Sequence, residues 1–299
     1  MKILVTGANG FIGSALMRAL VQRHEVIGVV RDSMNLSSKY RLIDDICNIT
    51  ADDLSGITCV VHAAGVAETG ADEAELQRVN VEGARHLAIA CRDANVSQLV
   101  NLSSVKASGE GCVGPDSPDQ PTSAYGRSKL LAEDEINSVI AGSNTKVVHL
   151  RFPLVYGPGA QNSFLKLIYL SSSRFPLPLA SLSAQRSYCF IENLTRMVEL
   201  QLRSGLAVPI VYIADQSPKT LPAMLIGIGR AIGHQPMLIP FPESLMKFVV
   251  KIIKPKSTSQ LFDSSVVDIS STRKYFKDWN PMSTEDALKY LEFGRDGRI

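Results

Sequence analysis

Neither sign of charge dominates this 299-residue chain: 31 lysines and arginines stand against 29 aspartates and glutamates, a formal net charge of +2. A field that weak gives no reason to expect a nucleic-acid partner. The five cysteines, Cys47, Cys59, Cys91, Cys112 and Cys189, include no CxxC pair. Reduced thiols follow, with neither a disulfide frame nor a zinc site. The five histidines show no paired spacing, so no metal centre is expected. No uncharged apolar run reaches the length of a transmembrane helix. Only Met1 and Lys2 precede the first apolar run, which leaves no room for a signal peptide. Internal repeats are missing too. The expectation is a cytoplasmic protein with a large core, long enough for one domain and a smaller appendage.

What is there begins at once. In KILVTGANGFIG at 2–13, an apolar β-branched run is broken by a glycine turn and resumes at helical spacing from Phe11 to Val21. Gly7, Gly10 and Gly13 lack a Cβ, so the backbone turns sharply, approaches a bound group and packs helix on strand. The N–H groups at the helix start then face an anion, most naturally a pyrophosphate.

Strand and helix patterns alternate through the first half of the chain. Strands are predicted at 25–30, 42–46, 58–62, 98–102 and 146–150, and helices at 71–91 and 125–140. This βαβα order implies an α/β fold, a Rossmann-type doubly wound parallel sheet with helices on both faces. After Arg151 the segments PLVYGPG and RFPLPLASLSAQRS look like binding loops. A helix at 192–203 and a strand at 209–214 that rejoins the sheet come next. The expected division is a nucleotide-binding domain at 1–157 plus about 186–216, and a smaller mixed α/β substrate domain at about 158–185 plus 217–299. In ESLMKFVVKIIK, Lys247, Lys251 and Lys254 share one helix face, read as the solvated edge of a docked helix in preference to a membrane-binding surface.

Ser103-Ser104 stands just beyond the predicted strand 98–102, where an open α/β sheet places its ligands. Downstream, Tyr125 and Lys129 lie four residues apart, one turn apart on a helix. A free phenol has a pKa of about 10, too high for proton transfer at neutral pH. A nearby ammonium favours the phenolate and brings Tyr125 towards acid/base work. A serine hydroxyl at Ser104 suits the substrate oxygen that gains or loses the proton.

On these motifs the chain resembles an extended short-chain dehydrogenase/reductase of the NAD-dependent epimerase/dehydratase family. The resemblance covers TGANGFIG at 6–13, DDI at 44–46, HAAG at 62–65, Asn80 in RVNVEG, LSSVKASGE at 102–110, YGRSK at 125–129 and LRFPLVYGPG at 150–159. It implies Ser104, Tyr125 and Lys129 as the catalytic set, with Lys129 also holding the nicotinamide ribose. It implies cofactor contacts from Gly7, Asn9, Gly10, Phe11, Ile12, Gly13, Asp45, Ile46, Ala63, Ala64, Gly65, Asn80 and Pro153; Asp44 competes with Asp45 for the adenine. Substrate contacts fall to Ser103, Ser104, Tyr125, Asn162 and Arg186, the last two resembling the residues with which nucleotide-sugar enzymes hold a diphosphate. For Arg186 the alternative is an ion pair with Glu192 or Glu199. The closing segment resembles the family's C-terminal helix and turn, with Lys277-Asp278-Trp279 in place of the usual Leu-Gly-Trp. A homodimer is a further implication of the resemblance.

Sugar dehydratases of this family carry an acidic pair after the catalytic Ser/Thr; Val105 and Lys106 stand there instead, which argues against dehydration. For the remaining members of the family the resemblance implies hydride exchange at carbon 4 of a nucleotide sugar, as a 4-ketoreductase or a 4-epimerase. Where NAD-binding members end the second strand with an acid, this chain has Val30 and then Arg31, with Asp32 a rival ribose ligand. Arg31 suits a 2′-phosphate, so NADP(H) is favoured over NAD(H). That leans towards reduction; Ser-Ser-Val-Lys with a Gly-Glu close behind and the FPLPL loop resemble a bacterial surface-polysaccharide branch, which implies reduction of a UDP-4-keto-6-deoxy-HexNAc to a UDP-N-acetylquinovosamine-type sugar. The alternative is a UDP-glucose or UDP-N-acetylglucosamine 4-epimerase with tightly held NAD. A non-catalytic NADP-binding regulatory protein is disfavoured, because the serine, tyrosine and lysine are all present.

Overall fold

Ile3, Leu4 and Val5 are wholly buried, as a strand covered on both faces requires. They belong to β1 (Lys2–Thr6), which leads through the glycine turn into α1 (Phe11–Leu20). The structure, a computed structural model, describes residues 1–31, 39–67, 71–161, 163–253 and 261–290. After α1 come β2 (Glu25–Val30), β3 (Tyr40–Leu42), β4 (Cys59–His62), α2 (Glu73–Glu75) and α3 (Gly83–Asp93). Then follow β5 (Gln98–Leu102), β6 (Cys112–Val113), the long α4 (Ala124–Ile140) and β7 (Lys146–Arg151). Past Arg151 the elements shorten: β8 (Leu154–Tyr156), α5 (Ser163–Ser171), β9 (Gln185–Arg186) and β10 (Tyr188–Phe190), before α6 (Ile191–Ser204) and β11 (Ile210–Tyr212).

Seven of these strands form one parallel sheet in the order β3-β2-β1-β4-β5-β7-β11. The predicted doubly wound sheet is therefore present, and the strand around 209–214 does rejoin it beside β7. Alternate side chains serve opposite faces. Ile3, Val5, Val61 and Val100 pack with α1 and α6 through Leu16, Leu20, Met197 and Val198. Leu4, Val60 and Leu99 pack with α3 and α4 through Leu87, Cys91, Ala132 and Ile136. Chain order reverses between β1 and β4, and a crevice opens there beyond the carboxyl ends of the strands.

Two elements differ from the sequence-based expectation. β3 ends at Leu42 where a strand at 42–46 is predicted, because Asp44 and Asp45 turn the backbone. The Asp44 Oδ1 accepts from the Asp45 N–H at 2.8 Å and the Asp45 Oδ1 from the Cys47 N–H at 3.0 Å, opening a 3₁₀ turn at Ile46–Asn48. The helix predicted at 71–91 is interrupted between α2 and α3 by a π-helical stretch, Leu76–Glu82, that contains Asn80.

Beyond the sheet, β8 pairs in parallel with β10, and β9 antiparallel with β12 (Lys219–Thr220). α7 (Leu221–Ala231) and α8 (Glu243–Ile253) follow, then β13 (Val266–Val267) beside β6 and two short helices, Ser270–Tyr275 and Thr284–Lys289. Tyr156, Phe164, Tyr188 and Phe190 build an aromatic core of their own, with ring centroids 5.5 to 6.4 Å apart. Asp215 is buried beside it and accepts from Tyr156 Oη (2.7 Å), Thr284 Oγ1 (2.9 Å), Asn193 Nδ2 (2.8 Å) and the Phe190 N–H (2.7 Å). α8 docks through Met246 and Val250 with Lys247 and Lys251 exposed, and it leaves Leu245, Phe248, Val249 and Ile252 exposed as well. Lys254 lies outside the described residues. Among the described residues no helix is long and apolar enough to cross a membrane.

Candidate active site

The glycine turn brings backbones closer than any side chain would allow. Gly7 has φ +64°, and a Cβ on it would sit 2.8 Å from the Ala64 Cα; one on Gly13 would strike the Gly7 carbonyl. Gly10 caps α1 without a side-chain hydrogen bond, so the first-turn N–H groups are left for a ligand. In front of them lies a cleft of about 170 Å³. Its walls are Gly7, Asn9 and Gly10, the β2 end Val29–Arg31, residues 43–46 and residues 63–66, with Arg78 and Val79 closing the far side. The glycine cradle, the uncapped helix and the apolar Ile43 and Ile46 beside two carboxylates fit an adenine dinucleotide.

Nine expected cofactor residues thus share one cleft: Gly7, Asn9, Gly10, Arg31, Asp45, Ile46, Ala63, Ala64 and Gly65. The side chains of Phe11 and Ile12 pack into the apolar clusters behind the loop, so contact from them runs through backbone N–H groups. Gly13 serves packing of the loop on itself, and Pro153 is half-buried after β7, outside the cleft wall. Asp44 and Asp45 both line the cleft; the Asp45 carboxyl is held below its ordinary range, first by the Cys47 N–H, with Arg78 and Arg31 adding to the effect. Asp45 also forms an ion pair with Arg78, a residue sequence reasoning did not single out. Asp32 lies outside the described residues.

Asn80 is engaged inside the protein. It is 2% exposed, its Oδ1 accepts from the Val66 N–H at 2.8 Å, and its Nδ2 donates to the Val66 carbonyl (3.2 Å) and to Ser128 Oγ (3.1 Å). The amide is a brace between the cleft wall and α4, and the π-helical turn is what lets it reach both.

Thr6 and His62 end the two strands that flank the crevice. The Ala63 and Ala64 N–H groups donate to Thr6 Oγ1 at 3.1 and 3.0 Å. The hydroxyl proton is therefore directed to His62 Nδ1, 2.8 Å away. That tautomer is neutral, and burial, aided by Lys129, lowers His62 to about 3.

The residues expected to react lie just after β5 and on the first turns of α4. Ser104 is extended (φ −147°, ψ 148°) and accepts from the Lys106 N–H at 3.2 Å, which starts a 3₁₀ turn at Val105–Ala107. The first turn of α4 packs against that turn: a Cβ on Gly126 would collide with the Lys106 carbonyl. Ser123 caps α4 by accepting from the Gly126 N–H at 3.0 Å. Tyr125 is half-buried on this first turn, and Lys129 follows on the next, 7% exposed, its Nζ donating to the Leu102 carbonyl at 2.8 Å. Burial lowers Lys129 to about 8, with Glu133 opposing. Val105 is buried and Lys106 is paired with Glu110 at 2.6 Å, so neither position after Ser104 offers an acid for elimination.

Ser103 is turned inward. Neighbouring residues of an extended chain point to opposite sides, and the Ser103 hydroxyl, 2% exposed, donates to Glu133 inside the protein. Arg186 is half-buried on β9 and its Nη2 donates to the Asp263 carbonyl at 2.8 Å. Glu199, one of its expected alternative partners, instead pairs with Arg23 at 2.5 Å. Asn162 lies outside the described residues. Arg151 was missed as a functional candidate. A lone arginine closing the apolar strand KVVHL is the signal that could have found it.

The profile of the NAD dependent epimerase/dehydratase family matches residues 3–213. A UDP-glucose 4-epimerase of Vibrio cholerae is 30% identical over 303 residues, covering 95% of this chain and 92% of that one. A 4-hydroxy-2-methyl-3-oxo-4-farnesyl-3,4-dihydroquinoline-1-oxide ketoreductase of Stigmatella aurantiaca is 25% identical over 258 residues, covering 79% and 76%. Among solved structures, a UDP-N-acetylglucosamine 4-epimerase from Bacillus cereus superposes with a TM-score of 0.80 at 20% identity over 97% of each chain. A UDP-glucuronic acid 4-epimerase from the same organism, in complex with NAD, gives 0.78 at 23% identity over 97% and 94%. At such identities the structural likeness shows the fold.

Proposed function

The chain belongs to the NAD dependent epimerase/dehydratase family, enzymes of the short-chain dehydrogenase/reductase type, and on that premise we propose that it transfers a hydride at carbon 4 of a UDP-sugar, reducing a UDP-4-keto-6-deoxy-HexNAc with NADPH. The observation that carries this reading is the Lys129 ammonium, fixed on the Leu102 carbonyl one helical turn from Tyr125, on a helix whose first turn packs on the 3₁₀ turn that Ser104 opens. A bound nicotinamide supplies the hydride. Tyr125 delivers a proton to the carbon-4 oxygen, and Ser104 orients that oxygen by hydrogen bonding. Lys129 stabilises the phenolate that Tyr125 becomes. The cleft from Gly7 to Ile46 holds the dinucleotide, and Arg186 grips the substrate diphosphate.

Arg31 in the cleft wall at the end of β2, where no acid stands, supports NADPH over NADH. Val105 and the paired Lys106 support the exclusion of dehydratase chemistry. One observation favours a second reading: near full-length likeness to the Vibrio cholerae UDP-glucose 4-epimerase supports a 4-epimerase with retained NAD. The two share the Tyr125 half-reaction and differ in whether the hydride returns to the same sugar. Purified protein given UDP-4-keto-6-deoxy-HexNAc is expected to oxidise NADPH stoichiometrically. Interconversion of UDP-GlcNAc and UDP-GalNAc without added nucleotide, and no NADPH oxidation, would overturn the reductase reading in favour of the epimerase.

A further inference from the structure

Arg151 ends β7 with 1% of its surface exposed, yet it carries a full charge. Its Nε donates to both Glu133 oxygens at 3.0 and 3.2 Å, and its Nη2 to Glu133 Oε2 at 2.5 Å. On the other side it pairs with Asp119 through Nη1 at 2.5 Å and Nη2 at 2.9 Å. Nη1 also donates to Ser108 Oγ at 2.9 Å and Tyr212 Oη at 3.2 Å. Buried ion clusters of this kind are seldom kept for stability, because desolvating the charges offsets their attraction. One guanidinium against two carboxylates leaves one negative charge in surplus. Glu133 is one helical turn beyond Lys129 on the same face of α4, and the Ser103 hydroxyl donates to it from the end of β5.

We infer that Glu133, with Arg151 and Asp119, is a positioning unit for Lys129: it supplies the charge that balances the ammonium, and it pins the end of β5, where the Leu102 carbonyl and Ser104 stand. The inference rests on the assignment of Tyr125 and Lys129 as the acid/base pair. The groups around Lys129 come from every element packed on it. Tyr125 and Glu133 lie on its own helix, the Leu102 carbonyl on β5, His62 on β4 and His149 on β7, while Arg151 on β7 and Asp119 in the preceding loop act through Glu133 and through each other. His62 and His149, lowered by burial to about 3 and about 4, carry no charge at neutral pH. The balance therefore falls to the carboxylates. Asp134 registers the same surplus: burial first, then Glu133 and Asp119, raise its carboxyl against the opposing Arg151.

Glu133→Gln keeps the hydrogen-bonding shape and removes the charge. The alkaline limb of its kcat/KM profile is expected to move at least one pH unit lower, with about tenfold loss above neutrality. Asp119→Asn, at the half-exposed rim, is expected to move the limb in the same direction by less, with a Tm close to wild type. In the ligand-free protein the ε-carbon resonance of Lys129, identified by its loss in Lys129→Arg, is expected to titrate lower in both variants. An unchanged limb and an unchanged Lys129 titration in Asp119→Asn, and in Glu133→Gln if it folds, would overturn the inference. Full activity in Tyr125→Phe would instead overturn the acid/base assignment, and the resonance titration still decides the coupling on its own.

Discussion

In the proposed function Tyr125 moves a proton and Lys129 fixes a charge. If the assignment is right, Tyr125→Phe loses about 10²- to 10⁴-fold in turnover, the range for general acid–base groups. Cofactor affinity, measured by fluorescence titration, is expected to stay within a few-fold, because the cleft wall is untouched. Arg31 carries a separate prediction. On the proposed NADPH reading, Arg31→Glu removes one charge-assisted hydrogen bond to the 2′-phosphate of about 1.5 to 3 kcal/mol, so KM for NADPH is expected to rise about 10- to 100-fold while KM for NADH does not. Equal changes for both nucleotides would remove Arg31 from the 2′-phosphate. Ser104, Tyr125 and Lys129 stand out in the sequence as candidates because their spacing is short-range and their chemistry specific. Ser103 and Ser104 are indistinguishable in sequence as substrate ligands; the strand direction decides that the Ser103 hydroxyl points into the protein, onto Glu133. Asn80 was identified as important, but its bracing role depends on Val66 and Ser128, residues that only the fold brings to it.

At the scale of elements, the site depends on how α4 meets the turn after β5. Gly126 is the contact point, and its missing Cβ faces a backbone carbonyl that has nowhere to retreat. Gly126→Ala is expected to push the first turn of α4 away from Ser104. Overpacking of this kind costs about 1 to 3 kcal/mol, and a displacement of about 1 Å at the reacting groups costs about 10²-fold in rate. A urea melt and kcat measured together check both; an unchanged kcat would mean that this contact does not set the geometry. Sequence periodicity placed α4 to within a residue, since its buried positions recur at helical spacing. The same reasoning ran through 71–91 as one helix, because a π-helical turn leaves apolar spacing nearly intact while shifting Asn80 into reach of its partners. The short β3 was displaced for the opposite reason: local Asp side chains captured N–H groups that a longer strand needs.

For the whole molecule, buried neutral histidines set the acid limit. His62 and His149 are lowered from 6.5 to about 3 and about 4, in both cases chiefly by burial. His149 is held neutral by Asn101 Nδ2 donating to its Nδ1 at 3.0 Å and by its own Nε2–H on Asn137 Oδ1 at 3.1 Å. Because these pKa values fall on folding, the unfolded chain binds more protons between about 3 and 6.5. Stability is therefore full above pH 6.5 and is lost as pH falls through that window. At ~1.4 kcal/mol per unit, His62 alone is worth a few kcal/mol. Asp215, raised by burial, works in the other direction and blunts the loss. Urea midpoints are expected to fall steadily from pH 7 to pH 4, and a flat profile would contradict the burial of two neutral imidazoles.

The sequence alone determined the strand–glycine–helix opening, the parallel α/β class and the Tyr-x₃-Lys pair, because each rests on local backbone preference or on a fixed helical spacing. Tertiary structure decided what those motifs touch. It joined Arg78 to Asp45 at the cleft, turned Ser103 inward, and set Glu133, Arg151 and Asp119 in one ion cluster. These contacts connect residues 18 to 33 positions apart. No periodicity encodes such pairs; they exist because burying both faces of a parallel sheet brings the ends of its strands to one edge, where unpaired charges must find each other or stay in water.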